Sequence, residues 1–192
     1  LTATDLATGW TECLALPNKT QAAVSAAIEL LRRDLPFPLL GLDSDNRSEF
    51  INDTLYRYCV SEQITFTRSR PYRKNDQAHV EQKNWSVVRH TVGYDRLETP
   101  SELELLHSIY SDLRLYINFF QPVLKLVGKD RIDGKTIRKY DRAMTPYRRV
   151  LNLEDLPFDL KARLSVQYMI LNPVSLRASI DQKVALLWKI VR

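Results

Sequence analysis

The stretch PLLGLDSDNRSEF, residues 38–50, leads from a short apolar run into a group of acidic and polar side chains. A short apolar run bounded by turn-forming residues predicts a buried central strand. Asp45 falls where this strand ends, and Asp43 lies two residues earlier on the same strand face. A strand that stops at acids is the pattern expected where side chains are delivered to a functional site.

Upstream of this strand the chain predicts a hairpin followed by a helix. LTATD and WTECLAL have strand character and are joined by the turn LATG. Asn18 is the candidate cap of a helix over the alanine-rich TQAAVSAAIELLRRDL, whose apolar residues recur at helical spacing. Pro36 and Pro38 end that helix.

Further along the chain, SEFINDTLYRYCVSEQ predicts an amphipathic helix and ITFTRSRP a strand. The loop YRKND leads into a helix over QAHVEQKNWSVVRHTVG. A longer helix, with Thr99 or Ser101 as its cap, stops before Pro122. The order of hairpin, helix, strand, helix, strand, helix and helix predicts a mixed α/β layer fold. Trp10 and Trp85 are assigned to its core.

We divide the chain into a core over residues 1–127 and a C-terminal region over residues 128–192. The second part begins with the basic, turn-rich GKDRIDGKTIRKYDRAMTPYRRVL, which has no clean period, and continues as two helices broken at Asn172–Pro173. It is predicted to be a basic linker and a helical extension packed on, or tethered to, the core. Because the chain opens on Leu1 within a strand pattern, we interpret it as a fragment of a longer protein.

The charge of the chain is basic and unevenly distributed. It has 28 Lys and Arg against 23 Asp and Glu, a net charge of +5 and a pI of about 9.2. Residues 68–90 hold six cations against two acids, and residues 125–149 hold nine against three. Such stretches suit a polyanionic partner. No apolar run approaches the roughly 18 residues of a membrane span, and Cys13 and Cys59 are interpreted as buried thiols of a reducing compartment.

Asp45 and Glu81 form the pair that could carry chemistry, with 35 residues between them. The first lies at a strand end and the second inside a predicted helix. Carboxylates are hard oxygen ligands suited to Mg²⁺ or Mn²⁺, and two such ions can support phosphoryl transfer. Acids at such positions are also commonly solvated or capping, so the pair by itself leaves both interpretations open.

The context of this pair resembles bacterial insertion-sequence transposases of the DDE type, in the retroviral-integrase-like superfamily. The resemblance rests on LDSDNRSEF, on ITFTRSRPYRKNDQAHVEQKNWSVVR, and on YINFFQPVLKL with the basic KYDRAMTPYRRVL after it, in that order over residues 1–152. It implies an RNase H-like mixed sheet flanked by helices, two Mg²⁺ or Mn²⁺ ions, and nicking and strand transfer of DNA. Asp45 matches the family's second catalytic Asp and Glu81 its Glu, so both are expected catalytic residues and metal ligands, with Asp43 as a rival to Asp45.

Two departures from the family pattern bear on activity. The family's first Asp belongs on a first strand upstream of the hairpin, which this sequence is expected to lack. Asp5, at the end of the second strand, is assigned to turn formation instead. Where the family usually has Gly this chain has Arg47, which places a cation beside the expected metal site and removes a residue that permits unusual backbone angles. Two carboxylates instead of three predict weakened metal binding, so the chain is expected to be an impaired enzyme.

The expected DNA contacts lie around Glu81 and in the second basic stretch. Loops beside an active site are where substrate contacts concentrate, and phosphate contacts make affinity fall steeply with salt. The residues assigned to this role are Arg70, Tyr72, Arg73, Lys74, Asn75, Lys83, Asn84, Arg138 and Lys139.

Two other function classes stay open beside the transposase or integrase core. One is a non-catalytic DNA-binding remnant of a transposase, and the other is a different RNase H-fold nuclease or resolvase. The resemblance implies DNA as the partner, both element ends and target, and assembly into a homo-oligomer. It also implies a bacterial cytoplasmic location in association with the nucleoid, without a membrane partner.

Overall fold

The structure of the chain is a computed structural model, and it describes residues 1–44, 53–68, 84–132 and 134–191. Its elements confirm a mixed α/β chain. Within those residues, no helix combines the length and the apolar character needed to cross a bilayer. In chain order the elements are β1 (Thr2–Thr4), β2 (Thr11–Cys13), α1 (Gln21–Asp34), β3 (Gly41–Ser44), α2 (Asp53–Ser61), β4 (Thr65–Arg68), α3 (π-helical over Asn84–Arg89 and α-helical over His90–Val92), α4 (Pro100–Phe120), β5 (Leu126–Ile132), β6 (Lys135–Tyr140), α5 (Pro146–Leu151), α6 (Phe158–Ile170) and α7 (Pro173–Val191).

The first two strands form the antiparallel hairpin that the sequence predicts, with Thr2 opposite Cys13 at its open end. The Asp5 carboxylate accepts hydrogen bonds from the backbone N–H and the hydroxyl of Thr8, both at 2.6 Å. This side chain therefore shapes the turn, as expected. Gly9 completes the turn at a φ of 77°, which glycine adopts without steric cost.

Strands β3 and β4 pair in parallel, in a register that begins with Gly41 opposite Thr65. The prediction that β3 is a buried strand holds for part of the strand but not for Gly41 and Asp43. Leu42 packs against α1 and α2, whereas Gly41 and Asp43 are exposed. Alternate side chains of a strand point to opposite faces. In the described part of the chain β3 pairs only with β4, and only one face of this strand is covered.

Local hydrogen bonds define the starts of the helices. The hydroxyl of Thr20 accepts a bond at 3.3 Å from the first turn of α1, so Thr20 is the N-cap. The predicted cap, Asn18, is wrong by two residues because its side chain accepts from the N–H and hydroxyl of Thr20 instead. Helix α4 has Thr99, one of the two predicted candidates, as its N-cap and stops before Pro122, as predicted. Glu102 completes a capping box with Thr99, which the sequence analysis did not predict.

Three clusters of buried side chains hold these elements together. The first joins β2, α3, α4 and α7, the second joins Trp10 to α4, α5 and α6, and the third joins α1, α2 and the start of β4. Trp10 is 3% exposed, which confirms its assignment to the core. Cys13 and Cys59 are both buried, as predicted, and burial raises the pKa of the Cys59 thiol. Trp85, by contrast, is 60% exposed, so its assignment to the core is wrong.

A buried amide links β2 to α4. Asn118 is fully buried, its Nδ2 donates to the Thr11 carbonyl, and its Oδ1 accepts from the Thr11 N–H, both at 2.8 Å. The side chain thus takes the place of a neighbouring strand beside β2. One residue along the strand, the buried Glu12 carboxylate accepts from the Trp10 indole at 2.8 Å and from Arg114 of α4 at 2.7 Å. These polar contacts fix the hairpin on the helix.

The stretch after α4 forms an antiparallel hairpin, β5–β6, that the turn-rich sequence pattern did not predict. Strand β5 spans the predicted boundary between residues 127 and 128. The dipeptide Asp133–Gly134 is a hairpin-turn signal, and Gly134 has a φ of 76°. Charged side chains hid the strands, because every β6 residue is exposed and no apolar alternation marks the pattern.

The two predicted C-terminal helices break at Asn172–Pro173, as expected. The Asn172 Oδ1 accepts from the backbone N–H groups of Val174 and Ser175, at 2.9 and 3.2 Å, and so caps α7. Helix α7 packs along α4. Its Lys183 reaches the Asp112 carboxylate of α4 at 2.6 Å, which adds an ion pair to the apolar contact.

Candidate functional site

The carboxyl ends of β3 and β4 form the sheet edge to which the sequence assigns the chemistry. The last residues of the two strands, Ser44 and Arg68, lie opposite each other. One residue earlier, the Thr67 hydroxyl donates to the Asp43 carboxylate at 2.7 Å, at an exposed position. Because the strands are parallel, the chain leaves both of them at the same edge. The segment that starts with Asp45 and the predicted basic loop therefore both begin here.

Most of the predicted site residues lie outside the residues that the structure describes. Both predicted metal ligands, Asp45 and Glu81, are among them, and so is Arg47. The proximity of Asp45 to Glu81 therefore stays a prediction. Asn84 is the first described residue of α3. The other predicted contacts outside the described residues are Arg70, Tyr72, Arg73, Lys74, Asn75 and Lys83.

One described residue at this edge carries a side chain of the kind that binds divalent ions. Asp43 brings a carboxylate there, and carboxylate oxygens are the ligands that Mg²⁺ and Mn²⁺ prefer. Its hydrogen bond from Thr67 orients that carboxylate, as bonds from neighbouring groups do for metal ligands. Among the described residues, no group of three or more Asp, Glu, His or Cys side chains is placed to hold a metal. A metal site formed by Asp45 and Glu81 therefore stays a prediction.

Helix α3 opens with a π-helical turn over Asn84–Arg89. A π-helical turn moves side chains away from the faces that a 3.6-residue period predicts, and such turns are frequent at functional sites. The π-helical turn explains why Val87 is buried while Trp85 is exposed. The indole contacts the His90 ring edge-on at 6.3 Å between centroids. The Trp85 indole, which the sequence analysis assigned to the core, is therefore exposed, and it lies four residues after Glu81 in the chain.

Several cations of the two basic stretches serve the fold. The Arg89 guanidinium lies 5.1 Å from the centre of the Tyr94 ring, a cation–π contact. The Arg149 guanidinium bonds to the Asp141 carboxylate at 2.6 Å and to the Val123 carbonyl at 2.9 Å. That guanidinium, with a backbone N–H, holds the pKa of Asp141 below its ordinary value. These cations are committed to intramolecular partners.

The two predicted DNA contacts on the β5–β6 hairpin have different surroundings. Arg138 and Lys139 are adjacent on β6 and both are exposed. Lys139 forms an ion pair with Asp130 at 2.7 Å, whereas Arg138 lies directly opposite Lys129. Sequence reasoning did not select Lys129 or Arg131. The Asp133–Gly134 turn signal could have shown that Lys129 and Arg138 are cross-strand neighbours.

A cleft of about 370 Å³ lies between the end of α4, the segment that leads into α5, and helices α5 and α6. Arg142 and Arg148 line it together with Tyr168 and other side chains. The Tyr168 ring stacks on Tyr147 at 4.8 Å between centroids, and Tyr147 stacks on Phe119 at 5.1 Å. Arg142 and Arg148, which are exposed beside the Tyr168 ring, form a second cationic surface in addition to that of the β5–β6 hairpin.

Comparisons with known proteins add two similarities. No family model matches the chain. The uncharacterized protein y4rM of Sinorhizobium fredii is 45% identical to it over 146 residues, which are 76% of this chain and 42% of that protein. The chain therefore spans about two fifths of the length of this curated relative. Among solved structures, the catalytic core domain of BIV integrase is 20% identical, with a TM-score of 0.49, and the match covers 77% of this chain and 81% of that chain.

Proposed function

We propose that this chain is part of a DDE-type transposase or integrase that rearranges DNA by metal-dependent phosphoryl transfer. The observation that carries the proposal is the parallel pairing of β3 with β4. It brings to one sheet edge the strand that leads into Asp45 and the strand that leads into the basic segment before Glu81. Sheet edges of this kind, at the carboxyl ends of parallel strands, are where α/β proteins build their sites.

In this proposal Asp45 and Glu81 hold Mg²⁺ or Mn²⁺, with Asp43 as the rival ligand beside Asp45. When bound, a pair of such ions supplies charge stabilisation to the attacking and leaving oxygens of a phosphodiester. Asp43 has a role in either case: its carboxylate, oriented by Thr67, adds negative charge beside the ion. Basic residues before and after Glu81 position the DNA backbone, since phosphate contacts fix register and orientation.

We further propose that the 192-residue chain by itself is a poor catalyst. Transposases of this type are expected to hold their metal ions with three carboxylates, and this sequence has two at matching positions. The strand pairs β1–β2 and β3–β4 are not hydrogen-bonded to one another among the described residues, which is compatible with an RNase H-like sheet whose first strand is absent from this sequence. Arg47, beside the expected ion, lowers metal affinity by charge repulsion.

Metal binding by the purified chain tests the proposed ligands without relying on activity. Free Mn²⁺ is measured by electron paramagnetic resonance for the wild type, Asp45→Asn and Glu81→Gln, with the exposed acids Glu104→Gln and Asp155→Asn as matched controls. We expect weak binding that either site variant abolishes and neither control changes. Binding that survives in both site variants would overturn the assignment.

Activity tests the proposed impairment. Mg²⁺-dependent nicking of a supercoiled plasmid is expected to be absent or close to background for this chain. Robust nicking that Glu81→Gln abolishes would contradict the impairment while supporting the family assignment.

The second candidate function is DNA binding without catalysis. The exposed cations of the β5–β6 hairpin favour it, because they need no metal to contact phosphates. DNA binding in the presence of a chelator, combined with no measurable Mn²⁺ site, would favour this candidate over the first. Under either candidate we expect the protein to reside with the bacterial nucleoid and to self-associate.

A further inference from the structure

The β5–β6 hairpin separates its charges between two faces. Directly opposed residues of an antiparallel pair project to the same side, and successive residues alternate. The register places Lys129 opposite Arg138 and Arg131 opposite Thr136 on one side. We call the side chains Lys129, Arg131 and Arg138 the basic face. No acid of the described chain forms an ion pair with any of the three, and all are exposed.

The other side of the hairpin is close to electrically balanced. Asp130 and Lys139 lie on it and form an ion pair at 2.7 Å. Lys135 is the further cation on that side. The adjacent β6 residues Arg138 and Lys139 therefore differ: Lys139 has an acidic partner, Asp130, whereas Arg138 has none among the described residues.

Like charges directly opposite each other destabilise a strand pair. Lys129 and Arg138 form such a pair, and the hairpin keeps it although an acid at either position would remove the repulsion. An anion bound between the two side chains would remove it as well. Because the two cations repel each other, an anion between them is bound more favourably than it would be by two isolated cations.

The base of the hairpin is held rigidly. Residues Lys125 and Asp141, which flank the two strands, exchange backbone and side-chain bonds at 2.7 and 2.9 Å. Asp141 is held in turn by Arg149, and Lys125 donates through its Nζ to the Ala7 carbonyl of the first hairpin turn. A surface that is ordered before binding loses less entropy when a ligand docks. The β5–β6 hairpin is therefore a pre-formed cationic surface whose base is anchored.

We propose that the basic face of the β5–β6 hairpin binds the phosphate backbone of duplex DNA. This inference rests on the proposed function for the choice of DNA as the polyanion. It extends that function by adding Lys129 and Arg131 to the DNA surface and by removing Lys139 from it. The hairpin contributes affinity without sequence preference, because phosphates carry no base information.

The test compares two double variants with the same change in net charge. Lys129→Gln with Arg138→Gln neutralises the basic face, and Lys135→Gln with Lys139→Gln neutralises the opposite side of the same hairpin. Binding to a short fluorescein-labelled duplex is measured by anisotropy in the presence of a chelator, at several salt concentrations between about 50 and 200 mM. The chelator keeps the result independent of the proposed metal ligands.

Each phosphate neutralised contributes about −0.9 to the slope of log K against log salt. We expect the basic-face variant to make the slope shallower by about 1.8 and the opposite-face variant to change it by less than about half a unit. Both should melt at the wild-type temperature by circular dichroism, since the substituted side chains are exposed. A basic-face variant that melts much earlier is replaced by the single variant Arg138→Gln, compared with Lys139→Gln.

Equal slope changes in the two variants, or no change in the basic-face variant while the wild type binds DNA, would overturn this inference and leave the proposed function standing. Absence of DNA binding by the wild type would overturn both. Tighter binding of a duplex RNA of the same sequence would overturn the choice of DNA.

Discussion

The Asn118 side chain offers the sharpest test of how the N-terminal hairpin is held in place. Its amide accepts from the Thr11 N–H and donates to the Thr11 carbonyl, each at 2.8 Å, and both residues are buried. Asn118→Ala removes both partners at once. Water cannot reach Thr11 easily, because that residue is only 1% exposed.

The expected cost follows from these two lost bonds. Leaving a buried backbone donor or acceptor without a partner costs about 1–3 kcal/mol each, so Asn118→Ala should lower the free energy of unfolding by about 4 kcal/mol. Asn118→Leu refills much of the space but restores neither bond, and it should cost nearly as much. Asn172→Ala is the matched control, because that side chain also accepts two bonds but is exposed; losing such a cap costs about 1 kcal/mol.

Urea unfolding followed by tryptophan fluorescence measures the difference, since Trp10 lies in the core one residue before Thr11. With a urea dependence of about 2 kcal/mol per molar, the Asn118→Ala midpoint should fall by about 2 M. A midpoint no lower than that of Asn172→Ala would refute the reasoning. A wild-type midpoint for Asn118→Leu would show that volume, and not hydrogen bonding, holds the hairpin.

Two further predictions concern ion pairs. Arg114→Leu leaves the buried Glu12 carboxylate with the Trp10 indole as its described partner and should cost about 3 kcal/mol in urea unfolding. Glu12→Gln should cost less, because the Arg114 side chain is 28% exposed and reaches water; equal costs would contradict this account. Asp141 has a pKa lowered in the folded state, so its stabilisation is present above its ordinary pKa of about 4 and is lost as the pH falls through the lower, folded value. Asp141→Asn should therefore flatten the fall in melting temperature below about pH 4, and an unchanged profile would contradict the assignment.

The elements that sequence reasoning predicted correctly carry their signals within a few residues. The Thr99 cap, the break at Asn172–Pro173 and the Asp5 turn all depend on hydrogen bonds between near neighbours. Such bonds form in much the same way whatever the rest of the chain does. The shift of the α1 cap from Asn18 to Thr20 shows the limit, since two side chains that can both cap a helix lie two residues apart.

The errors share a different cause. Trp85 was assigned to the core on a 3.6-residue period, and the π-helical turn of α3 moved it to the surface. The β5–β6 hairpin escaped detection because its strands are solvated on both sides, so that hydrophobic alternation, the main strand signal, is missing. In both places the prediction assumed a regular geometry, a 3.6-residue helix or a half-buried strand, that the chain does not adopt there.

The candidate site divides in the same way. From the sequence alone, the pair Asp45 and Glu81 left a metal-binding role and a solvated or capping role both open, and it was the resemblance to DDE-type transposases that implied metal-dependent DNA chemistry. The closeness of the two acids stays a prediction. The sequence analysis did not distinguish Arg138 from Lys139, which are neighbours of like charge in the chain. The difference between them depends on which residues of β5 lie opposite each of them.

By itself, the sequence determined the chain's mixed α/β order as far as α4, the start of α4, the break at Asn172–Pro173, and the chemical character of its acids and cations, because these depend on side-chain identity and on contacts a turn or less away. Only the tertiary structure decided that β3 runs parallel to β4, that Asn118 replaces a strand beside Thr11, and which hairpin cations have acidic partners. Those contacts join residues as many as 107 positions apart. The contacts between the most distant residues gain their free energy only when the whole chain has packed, so no local sequence pattern reveals them.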